Sequence, residues 1–233
     1  MPPTIRENVQ RIQERIANAR QKSAAAAAEV TLIAVSKTQS ADAIREAYDA
    51  GLRHFGENRV QEWEGKRDHL NDLQAAWHLI GHLQSNKVAR AAKTFHSVDS
   101  IDDFAVAQRL DKARSEQNTS EKLRVLIEVR VENEATKNGA DIQILPELIE
   151  KISTLKNLNL AGLMCIPPYL DDPEKVRPYF QRLRTVRDDL ARVTGFSLSV
   201  LSMGMSHDFE IAIQEGATEV RVGTALFGSR PKP

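Results

Sequence analysis

The chain has 233 residues, with 32 Lys and Arg against 32 Asp and Glu, so its formal net charge at pH 7 is zero. Without a net positive field, neither nucleic acid nor an anionic membrane is an expected partner. A single cysteine, Cys165, excludes an internal disulfide and a zinc site of clustered thiolates, and it fits a reducing, cytoplasmic setting.

The N-terminal stretch MPPTIRENVQRIQERIANARQ carries charges throughout and lacks an apolar run of signal-peptide or membrane-span length. Ile5, Val9, Ile12 and Ile16 recur at helical spacing. They predict a leading helix within residues 1–30, ahead of the alanine run Ala24–Ala28, with one face packed on the body. From Thr31 onward, short β-rich runs alternate with helical patterns. Strands are expected at Thr31–Ser36, His54–Glu57, Trp77–Gly81, Thr94–Val98, Arg124–Val131, Ala161–Ile166, Ser197–Met203 and Glu219–Thr224. Helices are expected between them at Ala41–Ala50, Val60–His69, Asn86–Ala92, Ile101–Ser115, Ile144–Leu155, Glu174–Val193 and His207–Glu215. Eight such units without a linker predict one α/β domain over residues 1–233, a single (β/α)8 TIM barrel with an extra N-terminal helix. An open doubly wound sheet fits the same alternation if the weak second and fourth strands fail.

In such barrels the working residues sit at the C-terminal ends of the strands, and phosphate sites form from the loops after strands seven and eight. Strand seven runs into Ser202-Met203-Gly204-Met205-Ser206-His207-Asp208, and strand eight into Arg221-Val222-Gly223-Thr224. Together these turns offer amides and hydroxyls suited to a phosphate dianion, without a P-loop or dinucleotide fingerprint. Taken singly, Ser206 reads as a helix N-cap and Gly223 as a tight turn. Lys37 ends the first strand, where burial and a cation such as Arg221 would favour a neutral, nucleophilic amine.

Several segments resemble one family: Ala34-Val35-Ser36-Lys37-Thr38, Phe55-Gly56-Glu57-Asn58 with Gln61-Glu62, His78 to Lys87, Ser97-Val98-Asp99-Ser100, Gly162-Leu163-Met164, Leu201 to Ser206 and Arg221 to Thr224. From Thr31 to Gly228 this set is similar to that of the pyridoxal phosphate homeostasis proteins. The resemblance implies a barrel like the N-terminal domain of alanine racemase, with pyridoxal 5'-phosphate (PLP) joined to Lys37 as a Schiff base. It also implies that Ser206, Gly223 and Thr224 hold the phosphate, that Arg221 faces the pyridine nitrogen and that Asn58 lies beside the cofactor. Lys137 matches a secondary attachment lysine of the family, but its polar neighbours read as a solvated loop.

Other residues point to less. His82 ends the third strand and reads either as a cofactor neighbour or as a structural hydrogen-bonding group. His54, His69, His78 and His96 lack metal-ligand spacing, His207-Asp208 reads as a helix start, and no metal is expected. Cys165 in Leu163-Met164-Cys165-Ile166 reads as a small core residue.

Two functions share this site: a non-catalytic carrier or regulator of PLP and amino-acid homeostasis, and a weak PLP-dependent amino-acid racemase. Only Ser229–Pro233 follow Gly228, so no second domain is expected to bring an opposing acid to the mouth. Of three tyrosines, Tyr48 and Tyr179 fall in helices and only Tyr169 can reach the mouth. An arginine at the pyridine nitrogen weakens the electron sink that transamination and racemisation use. The carrier is the expected function, a monomer without catalytic residues that passes PLP to recipient apo-enzymes.

Overall fold

In a computed structural model, which describes residues 3–23, 29–132 and 138–228, the eight strands close into a parallel barrel in sequence order. They are β1 Thr31–Val35, β2 His54–Glu57, β3 Ala76–Leu79, β4 Ser97–Ile101, β5 Leu123–Glu128, β6 Leu158–Met164, β7 Val200–Met205 and β8 Glu219–Val222. β1 pairs with β8 through Thr31↔Glu219 to Ala34↔Val222, which seals the barrel and removes the open-sheet alternative.

The helices are α1 Ile5–Gln21, α2 Ala41–Asp49, α3 Val60–Arg67, α4 Val88–Thr94, α5 Phe104–Ser115, α6 Leu145–Ser153, α7 Arg177–Thr194, α8 Phe209–Gln214 and α9 Thr224–Phe227. The leading helix starts on a capping box: the Glu7 amide donates to Thr4 Oγ1 at 3.2 Å and the Thr4 amide to Glu7 Oε2 at 2.7 Å. It buries Val9, Ile12 and Ile16 and packs against α2, α8 and α9. The Ala24–Ala28 run lies outside the described residues. Ile44, Leu110, Ile149, Phe180 and Ile213 carry the apolar layer between barrel and helices. Trp63 of α3 stacks on Trp77 of β3 with ring centroids 3.7 Å apart.

Several boundaries differ from the sequence expectation for identifiable reasons. Thr94 does not open β4 but ends α4, where its hydroxyl donates to the Arg90 carbonyl at 2.9 Å. The strand lies three residues later and includes Asp99 and Ser100, polar residues that are nonetheless buried. α5 begins at Phe104, not Ile101, because Asp103 caps it by accepting from the Val106 amide at 2.9 Å. β7 starts at Val200, not Ser197, and β5 ends at Glu128, not Val131. The short helix α9 was not anticipated.

The lower, N-terminal half of the barrel is filled by charge. His54 Nδ1 lies 3.0 Å from His78 Nε2, and His78 Nδ1 lies 3.2 Å from Asp99 Oδ2. Arg124 donates to Ser97 Oγ at 2.9 Å and to Glu219 Oε1 at 2.5 Å. Burial pushes the His54 imidazole down to about 4, helped by the positive fields of His78 and Arg124. Such a buried ionic plug, in which Glu219 Oε2 has no hydrogen-bond partner among the described residues, fits the stabilising role of this barrel face and leaves the opposite mouth for chemistry.

Candidate functional site

At the C-terminal mouth lies a cavity of about 600 Å³. Lys37, Asn58, Ser206, Arg221, Gly223 and Thr224, the six residues expected from the sequence, all line it. They come from the ends of β1, β2, β7 and β8, so barrel closure brings together groups up to 187 positions apart in sequence. Lys37 is half-buried in the turn that follows β1. The approach of Asn58 depends on Gly81 at the end of β3: a Cβ there would sit 2.4 Å from the Asn58 carbonyl oxygen.

Arg221 is 3% exposed and held on one side. Its Nη1 donates to the Ser202 carbonyl at 2.7 Å and to Ser202 Oγ at 2.8 Å, and its Nη2 donates to the Cys165 carbonyl at 2.8 Å. Three bonds, two to Ser202 within β7 and one to Cys165 just after β6, fix the guanidinium plane and place a permanent positive charge in the cavity wall. Burial pushes the Cys165 thiol up to about 12, so the sulfur is neutral and packs as a small core residue.

Ser206 does not cap the helix that follows it. Its Oγ accepts from the Gly223 amide at 3.2 Å and the Ala225 amide at 3.3 Å, which ties the loop after β7 to the turn after β8. Asp208 occupies the N-cap position of α8, and its Oδ1 accepts from the Met205 amide at 2.6 Å. The hydroxyls of Ser206 and Thr224 and the turn amides thus cluster on one wall, next to Arg221 and beside Lys37's strand, because β8 pairs with β1 and a Cβ on Gly223 would lie 3.4 Å from that of Val35.

Other residues also line the mouth, Glu128 among those that sequence reasoning passed over. Glu128, the last residue of β5, is 6% exposed and makes no side-chain hydrogen bond among the described residues. Burial pushes its carboxyl up, opposed by the field of Arg221. Asp208 is likewise pushed up by burial, against its bond from Met205 and the field of Arg221. A polar residue at the inward end of a strand is the signal that could have found Glu128. Tyr169 reaches the rim but is 74% exposed, with its ring 5.1 Å from that of His207. His82 lines the cavity with Nδ1 3.6 Å from Asp102. Lys137 lies outside the described residues. Among the described residues no three His, Cys, Asp or Glu side chains gather to hold a metal, and no helix is long and apolar enough to cross a membrane.

A closed parallel barrel with a lysine after the first strand and a wall of hydroxyls and amides after the last two defines the barrel class of the alanine racemases. The family described as "Alanine racemase, N-terminal domain" matches residues 5–231. Within that class, the chain belongs to the pyridoxal phosphate homeostasis protein family. It is 46% identical over 224 residues to the pyridoxal phosphate homeostasis protein of Aquifex aeolicus, covering 96% of this chain and 97% of that one. It is 47% identical over 227 residues to that of Pseudomonas aeruginosa, covering 97% of this chain and 96% of that one. Among solved structures, PipY of Synechococcus elongatus PCC7942 with PLP bound is similar at 41% identity and a TM-score of 0.82, over 93% of this chain and all of that one.

Proposed function

We propose that this chain is a single-domain, cytoplasmic PLP-binding protein that takes part in PLP and amino-acid homeostasis as a monomeric, non-catalytic carrier or regulator. The observation that carries this reading is the meeting of Lys37, Arg221 and the Ser206–Gly223–Thr224 wall in one cavity.

The donor set fits the cofactor. Ser206 and Thr224 hydroxyls with the Gly223 and Ala225 amides suit a phosphate dianion, and Arg221 offers a donor that stays protonated opposite a ring nitrogen. Asn58 would supply an amide beside the cofactor, and Lys37 Nζ the amine that would hold it. PLP itself supplies an aldehyde that an amine can engage and a ring that withdraws electrons. Arg221, held by Ser202 and Cys165, opposes protonation of that ring and limits the withdrawal, which supports carriage over catalysis. The amine of a recipient apo-enzyme would compete with Lys37 for the aldehyde.

Borohydride reduction of the purified yellow protein, followed by peptide mapping, is expected to place a pyridoxyl group on Lys37. An unchanged visible spectrum in Lys37→Ala would refute the assignment and turn attention to Lys137. Carriage is tested by incubation with a PLP-dependent apo-enzyme, where activation is expected. A second reading, a weak amino-acid racemase, is favoured by the phenol of Tyr169 at the rim. It predicts solvent deuterium at Cα of alanine, lost in Tyr169→Phe; no incorporation above that given by free PLP would exclude it.

A further inference from the structure

Lys37 follows β1 in the turn Ser36-Lys37-Thr38. Both flanking residues are held from α3 and β2. On the N-terminal side Ser36 is fully buried; its amide donates to the Gly56 carbonyl at 3.0 Å and its Oγ to Glu57 Oε1 at 2.7 Å. On the C-terminal side Thr38 has φ +64°, the only positive φ among the described residues other than glycine. A β-branched residue adopts this conformation only where its surroundings over-determine it. Here its amide donates to the Glu62 carboxylate.

One ammonium joins the two sides. Lys66 Nζ donates to the Ser36 carbonyl at 3.0 Å, to Glu57 Oε1 at 3.2 Å and to Glu62 Oε1 at 2.8 Å. Its side chain is 14% exposed, that of Glu62 25%, and Glu57 is entirely buried. Burial pushes the Glu57 carboxyl up, and the field of Lys66 opposes this. Burial also acts to raise the Glu62 carboxyl, but the bonds from Lys66 and from the Thr38 amide hold it below the usual range. Glu62 and Lys66 stand one helical turn apart on α3, with Trp63 between them stacked on β3, so the clamp has a rigid base. None of Glu57, Glu62 and Lys66 is among the residues lining the mouth cavity.

We propose that Lys66, with Glu57 and Glu62, is a positioning device that fixes the backbone on both sides of Lys37 and so aims its Nζ into the mouth. This rests on the reading that Lys37 is the attachment point. Its consequence is a separation of two affinities. Attachment of an aldehyde needs the aim of Nζ, whereas anchoring of a phosphate draws on the turns after β7 and β8, to which none of Glu57, Glu62 and Lys66 hydrogen-bonds among the described residues.

The test uses full-length apo-protein and two ligands, PLP and pyridoxamine 5'-phosphate, which shares ring and phosphate but has no aldehyde. In Lys66→Met, PLP affinity is expected to fall about ten- to a hundredfold, the scale of a misplaced reacting group. Pyridoxamine 5'-phosphate should bind as in the wild type. Glu62→Gln, which keeps an oxygen for the Thr38 amide but loses the charge facing Lys66, should show the same split to a smaller degree, and it decides the matter if Lys66→Met does not fold. Equal losses for both ligands would make the cluster merely structural and overturn the proposal, as would unchanged PLP affinity in both variants. Borohydride labelling of the wild type away from Lys37 would instead sink the underlying reading before any variant is compared.

Discussion

Ser206→Ala tests the phosphate wall, and its effect can be worked out for the empty and loaded protein separately. In the structure the Ser206 hydroxyl accepts two amides at 3.2 and 3.3 Å, both longer than the usual N–H···O distance. A net hydrogen bond contributes about 0.5–1.5 kcal/mol, so two long ones together stabilise the apo-protein by about 1–2 kcal/mol. At about 2–4 °C of Tm per kcal/mol for a chain of this size, the variant should melt roughly 2–8 °C lower. With cofactor bound, a hydrogen bond to a phosphate dianion is worth about 1.5–3 kcal/mol, so its loss should weaken PLP binding about ten- to a hundredfold. Pyridoxal, which lacks the phosphate, should lose much less. Absorption titrations of wild type and variant with both ligands, alongside thermal denaturation of the apo-proteins, measure all three quantities. Parallel losses for pyridoxal and PLP would show that Ser206 acts on the fold alone, and an unchanged PLP affinity would remove the phosphate from this wall.

Glu128→Gln should raise the Tm of the apo-protein by an amount that grows with pH. Burial raises the folded-state value of this carboxyl, so its ionisation destabilises the fold as pH climbs past the ordinary carboxylate range; a Tm difference independent of pH would contradict this. His54 has the opposite sense: its folded value is depressed from 6.5 to about 4, so the stability that depends on neutral His54 is present above pH 6.5 and lost as pH falls toward 4. The Tm of His54→Asn should therefore fall less steeply than that of the wild type over this window, and parallel curves would exclude the effect. Gly81→Ala drives a Cβ to 2.4 Å from the Asn58 carbonyl oxygen and 2.9 Å from its Cα. It should cost about 1–3 kcal/mol and displace Asn58. Gly65→Ala on the exposed surface of α3, where a Cβ meets nothing within 4 Å, should instead stabilise by about 0.5–1 kcal/mol. Chemical denaturation of both variants checks the pair, and equal destabilisation would show that the clash is not the cause.

Sequence alone determined the order and type of the elements up to α9 because their signals are local. Ile5 to Ile16 repeat on one helical face, and β1 is an apolar, β-branched run ended by a turn. The motif residues Lys37, Ser206, Arg221, Gly223 and Thr224 could likewise be named before their meeting was visible, since strand ends are where a barrel keeps its chemistry. β4 was misplaced because Asp99 and Ser100 are polar, and only the charged interior shared by five strands, for Asp99, and the Gly81 carbonyl, for Ser100, make burying them favourable. Closure itself rests on β1 pairing with β8 across the whole chain, which no local pattern encodes. The same holds for Glu128, whose carboxyl makes no side-chain hydrogen bond among the described residues, and for Lys66, which reads along the chain as one more charge on a wet helix. Tertiary structure decided these because burial, electric field and hydrogen-bond reach depend on distances between segments, and those distances exist only once the barrel is closed.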